Sequence, residues 1–557
     1  MKHTGPISSV AAKGDYIATG GYDNRVILWD AKTHKPLAQG MHDHLVNHCE
    51  FSADDQWLVS ASSDYSARIW ELSSLRLRAV LSEHDDDVDM ATFSPDGKLV
   101  ATCALDRAVR LFDLNGQCLH VFLGHTGNII SLLWNPQGTR LISSSVDGTV
   151  REWDVETGAQ YSCYDLDGVR TDTIVMDSQG RIISGDDQGR IAIIDKGVVH
   201  YHKAHQAGIK KVVFSPKEQM LATLSYDRTL ALWHISLTGE ITEYQRTILP
   251  DIIWPRAAAL HENKLICATF GSRYALYDWQ SNLWHLEEIE VGRAINAITV
   301  QKENVYTVGD SGHVYKNAKP YMPLGSLCNF LVATQVGVYS GGQRGELFNI
   351  HTQQALYQHH SPLNCGAVFY QHDMLHIAVG TYTGEMLIFA LQPDGNLKLK
   401  TTLSIYENAI KSISVNGGQL FSVCASTHVA WHDCESLALI SKQYQVHSKI
   451  INACCRIGGS GFATVSRDLT LKIWVNQQAE SYLTPHNHSV KCLGVSEDGQ
   501  TLMTGSYGGT IAGFDLASRQ WTYFDRPTNA GISSICYDPI NQHFLAASYD
   551  GQIYPIH

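Results

Sequence analysis

A unit of about 40 residues recurs along the whole 557-residue chain, and no other feature limits the possible folds as strongly. Its clearest copy is GHTGNIISLLWNPQGTRLISSSVDGTVREWD, at 124–154. Aligned with it are HDHLVNHCEFSADDQWLVSASSDYSARIWE, HDDDVDMATFSPDGKLVATCALDRAVRLFD, HQAGIKKVVFSPKEQMLATLSYDRTLALWH, HSKIINACCRIGGSGFATVSRDLTLKIWV and HNHSVKCLGVSEDGQTLMTGSYGGTIAGFD. Short runs of Val, Ile, Leu, Ala and Thr alternate with turn pairs such as Asp23-Asn24, Asp147-Gly148 and Asp550-Gly551, which is the pattern of antiparallel hairpins. A sheet of four short strands cannot bury both faces alone. Stacking such sheets radially supplies the core and protects their edges.

Turn or strand-end markers from Asp23 to Asp550 give fourteen units. The pattern resembles the WD-repeat family of β-propellers over essentially the entire chain. The resemblance implies an all-β fold of two seven-bladed propellers in tandem, with four-stranded antiparallel blades. We expect the first propeller at 1–290 and a second, more divergent one at 291–557. The chain stops one strand short in unit fourteen, and SNLWHLEEIE at 281–290 is available to complete blade seven or to close the last blade.

In family terms, a His before the innermost strand, a Ser or Thr in the second strand, a turn Asp and a Trp in the third form a buried hydrogen-bonded tetrad, in which each polar group satisfies another. The matching sets are His42, Ser62, Asp64 and Trp70; His125, Ser145, Asp147 and Trp153; His205, Ser225, Asp227 and Trp233; and His447, Ser466, Asp468 and Trp474. Unit one has Gly21 in the Ser place, unit three has Ala104 and Phe112, and unit thirteen has Gly508 where Asp belongs. These blades are expected to lean on apolar packing and to hold their His less firmly.

A formal charge of -13 gives no positive field for phosphate backbones, so nucleic acid is not an expected partner. No basic-then-apolar leader and no membrane-length apolar run is present. The 13 cysteines are odd in number, lack a CxxC pair and sit among strand residues, which suits reduced thiols and a cytoplasmic location. Compact loops without low-complexity tails have the economy of a bacterial protein.

No phosphate loop, HExxH or GxSxG motif occurs, so no catalytic residue is assigned. The family geometry instead places residues after the tetrad His and before the turn Asp around each channel mouth. In the first ring these include Tyr22, Asn47, Lys210 and Tyr226; in the second, Asn452, Arg467, Lys491, Tyr507 and Tyr549. Tyr and Arg favour partner hot spots. His44 and His48 near Asp87 and Asp89 form a candidate divalent-metal set, since imidazole and carboxylate are usual ligands. The leading reading is a non-catalytic scaffold that needs no cofactor and binds protein or peptide partners on its rims. The alternative is a metal-dependent enzyme or enzyme subunit, as in bacterial secondary-metabolite biosynthesis, with its His/Asp site at the first mouth. A third reading, recognition of acidic or phosphorylated segments by Lys210, Lys491 and Arg467, draws on residues of both rings.

Overall fold

The computed structural model describes every residue except Gln353. Among the described residues there is no helix; the strands form thirteen four-stranded sheets and one three-stranded sheet, every one an antiparallel meander in chain order. Contacts divide the chain into two compact units, Met1–Gly292 and Arg293–His557. Each unit holds seven sheets. We number these blades 1–7 (7–41, 46–81, 88–123, 129–165, 171–203, 209–248, 253–285) and 8–14 (295–323, 328–358, 363–404, 410–443, 451–483, 490–525, 532–556).

Burial explains the sequence pattern within a blade. Second strands such as Trp57–Ser62 and Ile182–Asp186 are buried on both faces, because neighbouring blades cover both, and they read as small and β-branched residues without alternation. Outer strands alternate instead, as in Leu397–Ser404 with its LKLKTTLS sequence. Turns between second and third strands need a left-handed residue, supplied by Gly148 (φ 79°) in blade 4 but by Tyr65 and Arg228 in blades 2 and 6. A Cβ on Gly148 would lie 2.5 Å from the backbone of Gly168.

The core is divided among the seams between blades. Val59, Ile69, Val88, Val100 and Phe112 join blades 2 and 3; Phe421, Trp431, Phe462 and Trp474 join blades 11 and 12. Each ring closes by packing its first innermost strand on its last: Ile7–Lys13 beside Ile253–His261, and Ile295–Gln301 beside Ile532–Asp538. Part of the 281–290 segment has a definite place, since Leu283–His285 pairs with Ala275–Asp278 as the fourth strand of blade 7. The three-stranded sheet is blade 14.

Candidate functional site

The buried tetrads use a different hydroxyl from the expected one. In blade 2, Trp70 Nε1 donates to Ser60 Oγ (2.7 Å), Ser60 Oγ pairs with His42 Nε2 (2.7 Å), and His42 Nδ1 pairs with Asp64 (2.8 Å). Ser143, Thr223 and Thr464 take this role with His125, His205 and His447. The assignments of Ser62, Ser145, Ser225 and Ser466 to the tetrads are therefore corrected by two residues. Both hydroxyls share one face of the strand, but Trp70 lies opposite Leu58, so its indole reaches the diagonal neighbour at 60 and not the residue at 62. Ser62 instead donates to the Leu45 carbonyl (2.8 Å) and accepts from the Asp64 amide (3.0 Å), tying down the turn.

This shift also restores blade 1, where His3, Asp23, Thr19 and Trp29 make a full set despite Gly21. In blade 3, His84 holds Asp106 and Thr102, with Phe112 replacing Trp. His486 of blade 13 is not loosened by Gly508, because Thr510 (2.6 Å) and Thr504 (2.8 Å) engage both its ring nitrogens. Burial pulls His486 down to about 4. Burial alone would raise the tetrad carboxyls, yet the His42 bond and charge hold Asp64 well below the ordinary carboxylate value.

The four metal candidates do not converge. His44 Nδ1 accepts from the Leu45 amide (2.9 Å), and the buried Asp87 engages Asp86 and Leu105 through its backbone. His48 turns its Nδ1 to the Ala91 carbonyl (3.0 Å), and burial with nearby Lys211 pulls it down to about 3. Asp89 faces Arg256 (3.8 Å) and is pushed up to about 7 by burial, with Arg256 opposing and Asp87 and Asp172 adding. Among the described residues, the one group of three such side chains with ligand atoms within 4.8 Å of one another is His359 and His360, in the loop entering blade 10, with Glu385 of that blade.

What organises each mouth is a bulge near the start of every innermost strand. The bulged residues are Ser8, Asn47, Asp89, Ile130, Asp172 and Lys210, then a longer 254–257 stretch, in the first ring. In the second they are Asn296, Asn329, Asn364, Lys411, Asn452, Lys491 and Ser533. A bulge leaves one residue outside the ladder and re-aims its side chain. The asparagines point sideways: Asn47, Asn296, Asn329, Asn364 and Asn452 each donate to a carbonyl of the next blade, at Val88, Cys328, Leu363, Ile410 and Val490 (2.7–3.1 Å). Asn47 and Asn452, expected as partner contacts, are thus clasps between blades.

Apart from Ser8, Ile130 and Ser533, the remaining bulges carry charge. At the first mouth Lys210 bonds Asp172 (2.7 Å) and Asp187, Arg170 bonds Asp172 (2.9 Å), and Arg256 faces Asp89. Burial would lower Lys210, but Asp172 and Asp187 hold it above its ordinary value. Tyr226 lies under Lys210 Nζ (4.9 Å), and Tyr22 meets Trp254 edge-on (5.2 Å). Cations and carboxylates balance there.

At the second mouth Lys491 Nζ lies 5.8 Å from the Tyr507 ring and Lys411 Nζ 5.9 Å from Tyr382. Tyr507 stacks with Tyr549 (6.2 Å, 19°). Arg467 sits in the turn of the blade between the two lysines, its amide on the Ile450 carbonyl (3.0 Å). Burial, then Lys491 and Arg467, push Lys411 down to about 7. A carboxylate at this mouth, Asp310 in blade 8, is held by Asn296 (2.9 Å) and pushed up to about 7 by burial.

Six segments, 1–30, 35–71, 75–113, 116–154, 197–234 and 478–515, match the model described as WD domain, G-beta repeat. This chain carries WD40 repeats. Where a match such as 35–71 covers strands Pro36–Met41 through Ala67–Glu71, the WD repeat runs from the outer strand of one blade to the third strand of the next. Similar WD-repeat chains include the target of rapamycin complex subunit wat1 of Schizosaccharomyces pombe, 33% identical over 143 residues, 25% of this chain and 45% of that protein. A guanine nucleotide-binding protein subunit beta of Oryza sativa subsp. indica is 29% identical over 226 residues, 37% of this chain and 59% of its own length. The transcriptional corepressor LEUNIG_HOMOLOG of Arabidopsis thaliana is 25% identical over 195 residues, 34% and 24% of the two chains. The matches span less than two thirds of each of these relatives. They come from plants and a fungus, so the bacterial expectation has no support from them.

Sequence reasoning passed over Lys411, Arg170, Asp172, Asp187, Trp254 and Arg256. A signal for Lys411 existed: AIKSI in blade 11 repeats the GIKKV and SVKCL contexts of Lys210 and Lys491. Blade 11 lacks the WD-repeat His, so the alignment did not extend there.

Proposed function

We propose that the chain is a non-catalytic scaffold whose second mouth docks an acidic segment of a protein partner. One observation carries this reading. In blades 11 and 13 the bulge position that holds a clasping Asn in blades 8, 9, 10 and 12 of the same ring holds Lys, and both lysines face tyrosine rings on either side of the blade bearing Arg467. Clustered cations beside aromatic faces suit a carboxylate or phosphate on a peptide, whose charge would draw the missing proton onto Lys411, held at about 7 in its absence, with the rings supplying rigid contact area. The subunit and corepressor relatives support a partner-binding role in general terms. The cysteines are free and most are buried, which fits our placing this role in the cytoplasm. The first mouth pairs its own charges and is the weaker candidate. The metal-enzyme alternative is not taken up, because no three of His44, His48, Asp87 and Asp89 bring ligand atoms within 4.8 Å of one another.

The test uses fluorescence anisotropy with a labelled Glu-rich peptide, its phosphoserine analogue and a Lys-rich control. Lys411→Asn with Lys491→Asn keeps residue types found at the same bulges. We expect salt-sensitive binding of the two acidic peptides that this double variant loses. Equal binding by the variant, or of the Lys-rich control, would overturn the reading.

A further inference from the structure

Most histidines of the repeat have no lone pair to offer a metal. His42 and His125, for example, engage an Asp through Nδ1 and a hydroxyl through Nε2, at 2.7–2.8 Å. Blade 10 breaks this arrangement. Val379 stands where Ser143 supplies the hydroxyl in blade 4, Thr383 where Asp147 stands, and Phe389 where Trp153 stands. The residue two after the turn Asp is usually a hydroxyl that bonds it, as Thr149 and Thr470 do. In blade 10 that place holds Glu385.

His359, in the same place before the innermost strand as His125, therefore meets the carboxylate of Glu385 in place of a turn Asp. His359 is buried, and its Nε2 lies 3.3 Å from Glu385 Oε2. The exposed His360 follows, its ring centroid 4.1 Å from that of His359 and its Nε2 4.0 Å from the same oxygen. Tetrahedral ligands about 2.0–2.1 Å from zinc stand roughly 3.3 Å apart, so one edge is already at that spacing and a turn of the exposed His360 closes another.

The surroundings orient these groups. His359 Nδ1 lies 3.2 Å from the Ser361 carbonyl, and a proton donated there leaves the Nε2 lone pair facing Glu385. Metal-bound histidines are held by this kind of outer bond. Thr383 Oγ1 donates to Glu385 Oε2 (2.8 Å), which fixes the carboxylate. Without a metal, the other tautomer has Nδ1 accepting from the Ser361 amide (3.2 Å) and Nε2 donating to Glu385.

We propose that His359, His360 and Glu385 form a three-ligand site for a divalent cation of the zinc class, with a fourth position open to water. The cation ties the loop entering blade 10 to the start of its third strand, beside the turn to which the His–Asp bond ties that loop in blades 1, 2, 3, 4, 6 and 12. This site is independent of the docking role proposed above.

The test titrates Co2+ into the full chain, purified without a histidine tag and stripped with chelator. We expect visible d–d bands that saturate at one equivalent, disappear on adding Zn2+, and accompany a higher melting temperature. His360→Ala removes an exposed ligand, and Glu385→Gln keeps the shape and the Thr383 bond; each should abolish the bands while its metal-free melting stays near that of the parent. His202→Ala, in blade 5, should leave them unchanged. No bands in the parent protein, or bands that survive both variants, would overturn the site and leave His359–Glu385 as a hydrogen-bonded pair.

Discussion

Asp310 is a carboxyl the fold holds at a cost. One oxygen accepts from Asn296; the other has no partner among the described residues, and burial raises the group to about 7. Its unfolded value is about 3.9, so the folded state binds the proton more tightly. The stability it contributes is complete below about pH 4 and is lost as pH rises through about 7. Asp310→Asn keeps the acceptor for Asn296 and removes the charge. It should stabilise the protein at pH 8 by on the order of 2–4 kcal/mol and have almost no effect at pH 4, measured by urea unfolding. The same gain at both pH values would mean that the charge is not what costs. At this scale the sequence made part of the site readable. His42, Asp64 and Trp70 stand in register with each other, but Ser60 and Ser62 lie on one strand face, and only the cross-strand geometry tells which one the indole reaches.

The bulge is the element that converts a repeated scaffold into two different mouths. An Asn there joins its blade to the next, whereas Lys411 there sets its ammonium 5.9 Å from the Tyr382 ring. Lys411→Asn should let the new amide reach the Ile451 carbonyl, as Asn364 reaches Ile410, while removing a half-buried cation from beside Lys491 and Arg467. Stability to urea should rise by about 1 kcal/mol, the net worth of such a bond, as acidic-peptide binding falls. A less stable variant would show that Lys411 is structural. Strand number and turn positions were legible in the sequence because hairpin chemistry and apolar runs repeat. The bulge was not, since one extra residue leaves the apolar pattern almost intact while turning a side chain out of the ladder, and so Asn47 and Asn452 passed for rim contacts.

At the scale of the whole molecule, the count of fourteen units made two rings of seven legible, but not how each ring closes. In the first ring closure is partly polar. His3 donates its amide to the Ser272 carbonyl (2.9 Å), His34 pairs with the Tyr274 hydroxyl (2.9 Å), and His261 bonds the Gly14 carbonyl (2.8 Å). These bonds join residues some 250 positions apart, and no local pattern announces them. The second ring closes on a small apolar cluster, Ile295 and Ile298 of blade 8 against Leu545 and Ala547 of the three-stranded blade 14. In such rings each blade packs on its two neighbours, so weakening one seam opens that seam first and leaves six others in place. Leu545→Ala removes one of four buried side chains and should cost about 2–5 kcal/mol. Hydrogen exchange should speed up in strands Ile295–Gln301 and His543–Ser548 and stay near the parent rate in Ile410–Asn416, on the far side of the ring. Equal acceleration in all seven blades would show instead that the second ring opens as a single cooperative unit, with no weak point at its closing seam.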